Sequence, residues 1–225
     1  MRINIIHISS LSIMYSKLYF PRFFTAGSEK SINEKLSASD TLKWEKTKYQ
    51  ALLQLRKHGS RIITSLCELK AITSKKETDS LYGYVEFVMQ KAISNPNFNS
   101  ALYANELGNR FALLKAKIEE HKKLEQCCSG MNLFENSIIT AVGALGVVFF
   151  GVAVSTGPLG MALLAVGMAI ASALLTTIAA YSVYVDSRFI KGKQLNEIEV
   201  GINFISSYPN GSLFDEVDEH SLCCP

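Results

Sequence analysis

The chain has 225 residues, 48 % of them hydrophobic, with 23 Lys/Arg against 20 Asp/Glu for a net charge of +3. The positive charges are scattered, and the lack of a dense basic stripe or a nucleic-acid motif argues against nucleic acid as a partner. The small total hides an asymmetry: residues 1–135 sum to +7, residues 186–225 sum to −4, and Asn136 to Val185 carries no Asp, Glu, Lys, Arg or His.

Residues 1–28 form an apolar and basic N-terminal segment, with Arg2, Lys17 and Arg22 and no acid. It lacks the clean apolar core and the cleavage site of a secretory signal. Three readings stay open: a mitochondrial presequence, an apolar interfacial segment, or a start that lies at Met14.

A helical cytosolic domain is expected over 29–130. Ser39 or Asp40 can cap a first helix that Gly59 ends, with Leu42, Tyr49, Leu52 and Leu53 on its apolar side. Ser60 then opens a second helix, with Ile62, Ile63, Leu66 and Leu69 facing inward. The short His58-Gly59-Ser60 link predicts that the two are antiparallel. A third helix opens at Thr78 or Asp79. Its stripe of Leu81, Tyr84, Val85, Val88 and Ala92 keeps helical spacing, and Asn95-Pro96 stops it. A fourth runs from Asn99 or Ser100 to about Gln126. Ala104, Leu107, Phe111, Leu114 and Ile118 form its seam, too short for a coiled coil and suited to a bundle.

Residues 131–186 read as a two-helix transmembrane hairpin. Leu133 to Val154 is 22 residues, roughly 33 Å of helix, and Met161 to Val185 is 25 residues, roughly 37 Å. A bilayer core of about 30 Å needs about 20 apolar helical residues. Ser155-Thr156-Gly157-Pro158 is a short uncharged turn between them. Lys122 and Lys123 before the pair, and Arg188, Lys191 and Lys193 after it, predict that both termini are cytosolic. A row of small residues, Ala165, Ala169, Ala173 and Thr177, predicts a tight helix-packing seam or a homo-oligomer contact. The competing reading is a hairpin buried in a soluble helical shell. That shell needs more amphipathic helices than the roughly four this chain offers.

Residues 187–225 are a short C-terminal helix and an acidic tail. Phe189, Ile190, Ile198, Ile202 and Phe204 give the helix its apolar side, and Tyr208-Pro209-Asn210-Gly211 ends it. Asn210-Gly211-Ser212 is a glycosylation sequon that cytosolic placement leaves unused.

No phosphate loop, nucleotide fingerprint, zinc-protease or serine-hydrolase motif occurs. His7, His58, His121 and His220 are far apart, and Cys67 reads as core. Glu119, Glu120 and His121 are adjacent, so they point to different helix faces and do not chelate together. No enzymatic activity, cofactor or metal site is expected. Five cysteines with two adjacent pairs do not make a disulfide framework. Cys127 and Cys128 lie just before the first span and are lipidation candidates. Cys223 and Cys224 are a second candidate pair, although Leu222 at the fourth place from the end breaks a prenylation box.

The last residues, LFDEVDEHSLCCP, resemble the C-terminal export signal of effectors of Legionella-type Dot/Icm (type IVB) secretion. Asp215, Glu216, Asp218 and Glu219 match its acidic cluster and Leu222 its apolar place; the mixed Asp and Glu depart from a glutamate run. The layout is also similar to the inclusion-membrane proteins of chlamydiae. The resemblance implies a bacterial secreted effector in a host membrane, with its helices facing the host cytosol. It carries over no active-site residue.

The expected protein is all-α: an N-terminal helical bundle, a transmembrane hairpin, then a short helix and tail. Its expected partners are membrane lipid, a protein docked on the bundle, and a second copy. The expected function is membrane-anchored interaction. The alternatives are a membrane-shaping or pore-forming hairpin and an enzyme without a recognisable motif.

Overall fold

The computed structural model describes residues 17–38, 46–73, 75–95 and 97–208. The regular elements among them are all helices: α1 Gly27–Ser37, α2 Lys46–Ile72, α3 Lys75–Ser94, α4 Ala101–Thr156, α5 Leu159–Ile190 and α6 Lys193–Ser207. The all-α class expected from the hydrophobic spacing is the class observed.

One core joins α1, α2, α3, the first half of α4, and α6. The predicted inward residues Ile62, Ile63, Leu66 and Leu69 of α2 are fully buried. So are Leu81, Val85 and Val88 of α3, and Leu107 and Leu114 of α4. Ile198 and Ile205 of α6 complete the same cluster. Apolar side chains three and four apart share a helix face, so these positions meet wherever the helices pack. The C-terminal helix therefore belongs to the bundle core. It returns to it through a turn at Lys191-Gly192, where Gly192 takes a φ of 67°, a backbone state glycine adopts without strain.

Four boundaries differ from the expected ones. The helix of the second span runs past 186 to Ile190, so Phe189 and Ile190 end α5 and the C-terminal helix opens at Lys193. The link at His58-Gly59-Ser60 does not exist: α2 runs unbroken through it. Gly59 is there for packing. A Cβ at this position would collide with the terminal methyl of Met89 and come within 2.7 Å of its sulfur. The glycine thus lets α3 approach α2. Ser39, Asp40 and Leu42 lie outside the described residues. The third helix opens at Lys75, ahead of Thr78. The fourth does not end near Gln126. It continues as one 56-residue helix through the boundary drawn at 130 and into the apolar stretch. No proline interrupts it, and an interior Gly130 costs only about 1 kcal/mol of helix propensity.

One helix was not anticipated. Residues 17–26 have no regular structure and lead into α1. There the Glu29 carboxylate accepts the Ala26 backbone N–H at 2.9 Å and pairs with Arg22 at 2.8 Å.

Gly59→Val is expected to cost about 1–3 kcal/mol through overpacking. Adding Met89→Ala should recover part of the loss. Thermal unfolding of the full chain in detergent, followed by circular dichroism, reads both. A glycine that served a turn would gain nothing from the second change.

Candidate functional site: the apolar hairpin and its polar root

Beyond the bundle, α4 and α5 run on as an antiparallel pair joined at Gly157-Pro158. The Ala162 N–H donates to the Pro158 carbonyl at 2.9 Å, which starts α5 directly after the turn. Both helices are long and apolar enough to cross a membrane, and only 6 % of the most apolar stretch of each is buried. Val142, Leu145, Phe149 and Val152 of α4, and Leu163, Leu164, Ile170 and Leu174 of α5, stand exposed. The described helices do not wrap the pair, so the soluble-shell alternative has no shell among them.

The inner face is a seam of small residues. A Cβ on Gly143 would collide with the Thr176 hydroxyl, and one on Gly146 would sit 2.8 Å from the Ser172 hydroxyl. Close backbone approach at small residues is how helices pack where lipid is the solvent. On α5 between Met161 and Ala180 the buried or half-buried positions are Ala162, Ala165, Ala169, Ser172, Thr176, Ile178 and Ala179. Ile178 aside, their spacing alternates three and four. The predicted row kept a strict spacing of four: its Ala165 and Ala169 lie on this seam, while its Ala173 and Thr177 are exposed beside it. Four residues turn about 400°, so such a row drifts about 40° at each step and leaves the contact line.

Two buried polar clusters root the hairpin in the bundle. In the first, Asp186 is fully buried. It accepts from Asn132 Nδ2 at 2.5 Å and from the Tyr19 hydroxyl at 3.3 Å. The Asn132 carboxamide also grips the backbone of Lys17, accepting its N–H at 2.7 Å and donating to its C=O at 3.0 Å. Asn136 donates to the same carbonyl at 3.1 Å, and the Tyr19 N–H donates to Ser182 Oγ at 2.8 Å. Residues 17–19 are thereby strapped across both helices where the neutral stretch begins. Burial, with the Asp186 charge beside it, pushes the Tyr19 phenol well above its usual range, so it remains a donor.

The second cluster centres on Arg188. Its guanidinium donates to Glu68 at 2.9 Å, to the Tyr184 hydroxyl at 3.1 Å and to Ser65 at 3.3 Å, and it also pairs with Glu197. Gln194 donates to Glu68 at 3.0 Å and to the Val185 carbonyl at 3.1 Å. One cation thus ties α5 to α2 and α6. Burial raises the Glu68 carboxyl above its ordinary range, while Arg188 pulls it the other way.

The remaining sequence candidates are not brought together into a site. Cys127 and Cys128 are exposed free thiols on α4. They lie about 100° apart around the helix. Cys127 stands on the outward side of α4 near exposed Leu124 and Met131, and Cys128 lines a cleft of about 360 Å³ with those two residues and with Lys17, Tyr19, Ser129 and Asn132. Cys67 is half-buried, and burial raises its thiol. His58 is buried and stacked on Phe204 with ring centroids 4.3 Å apart. Among the described residues no group of three or more His, Cys, Asp or Glu side chains could hold a metal ion. Asp215, Glu216, Asp218, Glu219, Leu222, Cys223 and Cys224 lie outside the described residues, as does the Asn210 sequon.

Sequence reasoning used Arg188 only as a flanking charge and passed over Asp186. The available signal was their position: two opposite charges two residues apart, immediately after fifty neutral ones. No protein-family model, curated protein or solved structure matches the chain.

Arg188→Met would strand the Glu68 carboxylate beside Glu197, and removing one partner of a buried pair costs about 3–5 kcal/mol. The deficit has a pH signature. A carboxyl raised above its unfolded value of 4.5 favours folding when protonated, and that contribution is lost as pH rises through the folded value. Losing Arg188 raises Glu68 further. The gap between wild type and variant should be widest near neutrality and narrow toward pH 4.5, read by thermal unfolding in detergent across pH.

Proposed function

We propose that the chain is a non-enzymatic, membrane-anchored interaction protein. Leu133–Val154 and Met161–Val185 cross the bilayer, both termini stay cytosolic, and the helical bundle offers a docking surface to a protein partner. The observation that carries this reading is the neutral hairpin whose apolar outer face the described chain leaves bare. Exposed apolar surface on this scale is costly in water and stable in lipid. The flanking lysines support the orientation: Lys122, Lys123, Lys191 and Lys193 are all exposed at the bundle end of the pair. Arg188 is spent on Glu68 and Glu197, so the lysines carry the topological signal. The tail resemblance adds the proposal that Asp215, Glu216, Asp218, Glu219 and Leu222 export the protein into a host cell, whose membrane then receives it.

The test combines alkaline carbonate extraction with protease protection. The protein should stay in the membrane pellet. Tags at both termini should be digested in sealed vesicles, and an epitope placed in the Gly157-Pro158 turn should be protected. Recovery in the soluble fraction would overturn the anchor. A turn epitope that is digested along with the termini would point to a wedge lying in one leaflet.

Lipidation belongs to the same reading and falls on Cys127. Its outward line continues through Met131 into the lipid-facing residues Ile138, Val142 and Leu145, so an acyl chain there runs along the helix into the bilayer. Transfer from an acyl-coenzyme A by a host acyltransferase forms the thioester and releases the free coenzyme thiol. Hydroxylamine-sensitive acylation should vanish in Cys127→Ser and persist in Cys128→Ser; the reverse pattern excludes this placement.

A further inference from the structure

The segment that straps the root continues into Phe20-Pro21-Arg22-Phe23-Phe24. Its three phenylalanines are all exposed, Phe20 at 63 %, Phe23 at 74 % and Phe24 at 85 %. Three such rings in five residues are unfavourable in water and need an apolar cover.

Their position supplies one. Lys17 and Tyr19 are fixed by side chains of Asn132, Asn136, Ser182 and Asp186. Those four residues bracket the end of the charge-free stretch on both helices. Phe20 therefore leaves the strap at the level where the hairpin's bare apolar surface begins. Phe23 and Phe24 follow within the reach of four or five residues, at most about 14–18 Å. The segment contains no acid, and its Arg22 is already paired with Glu29. Lys17 is exposed at the start of the strap. Nothing charged has to be dragged out of water for the rings to enter an interface. Aromatic rings concentrate at the headgroup level of membranes for this reason.

We propose that Phe20, Phe23 and Phe24 form an interfacial lipid anchor, seated in the headgroup–acyl boundary of the leaflet that meets the bundle. It rests on the reading of the hairpin as membrane-spanning. The hairpin holds the protein in the bilayer; the phenylalanines fix how the bundle lies against its surface. Phe20, nearest the strap, goes deepest and Phe24 stays shallowest. The occupant of this apolar patch is lipid because the strap that carries it is bound at Asn132, Asn136, Ser182 and Asp186, the level at which the charge-free stretch of both helices begins.

The test uses the full chain in phosphatidylcholine vesicles, with the one tryptophan removed by Trp44→Phe. Single tryptophans are then introduced as Phe20→Trp, Phe23→Trp, Phe24→Trp and, as a reference in the span, Leu145→Trp. Quenching is compared between lipids brominated near the headgroup and lipids brominated near the acyl terminus. The three strap positions should be quenched more by the shallow bromines, in the order 20, 23, 24, and be shielded from aqueous acrylamide. Position 145 should be quenched more by the deep bromines. Deep quenching at 145 with free acrylamide access at 20, 23 and 24 would overturn the strap anchor and leave the hairpin standing. Absence of lipid quenching at 145 would remove the spanning reading and the strap anchor with it.

Discussion

The structure depends on one junction, the place where the charge-free stretches of two long helices meet the helical bundle. Above it, the outward side chains carry no charge and most are apolar; below it, the bundle surface is charged. A helix crosses such a boundary freely because its backbone hydrogen bonds are internal. The side chains at the boundary are the difficulty. Asp186 and Arg188 sit there, and each is buried, so each would be costly without partners. The chain supplies those partners from far away in sequence. Asn132 and Tyr19 serve Asp186, and Glu68, Glu197 and Ser65 serve Arg188. The two clusters therefore do more than neutralise charge: they fix the hairpin to α2, α6 and the N-terminal strap.

Continuity of α4 gives this junction its stiffness. A helix of 56 residues is about 84 Å long, and it is a core element of the bundle at one end and half of the hairpin at the other. No loop separates anchor from bundle. α5 is bound to the bundle by Arg188 and reaches it again through α6. Rotation of the bundle about the hairpin axis would have to break both polar clusters together. A protein built to wave a domain on a tether would place a Gly- or Pro-rich linker here; this chain places a salt-bridged root.

What the sequence made legible was whatever depends on local spacing. Leu81, Val85 and Val88, like Ile62, Ile63, Leu66 and Leu69, are buried because three- and four-residue intervals dictate one helix face. The neutral run from Asn136 to Val185 needed only a charge count. What was not legible depended mostly on a partner from another element. Gly59 looks like a helix end until Met89 is packed on it. Helix drift carries Ala173 and Thr177 off the line that Gly143 and Gly146 face. Asn132, an unremarkable polar residue before a span, gains its role from a backbone segment 115 residues earlier. A change of composition near Gln126 looked like the end of a helix, yet the backbone does not respond to which solvent its side chains face.

The same junction explains why the strap matters beyond its hydrogen bonds. Asn132 reads both polar groups of one peptide unit, Lys17 N–H and C=O, a contact that specifies backbone position and leaves the neighbouring side chains free. Tyr19, the ring turned inward, is buried with its hydroxyl on Asp186; Phe20, next along, is turned out. The segment thus satisfies the buried acid with one ring and leaves the next exposed beside the root of the hairpin. Polar satisfaction inside the root and apolar exposure outside it are two faces of one short stretch, and a change that loosens Lys17 from Asn132 disturbs both.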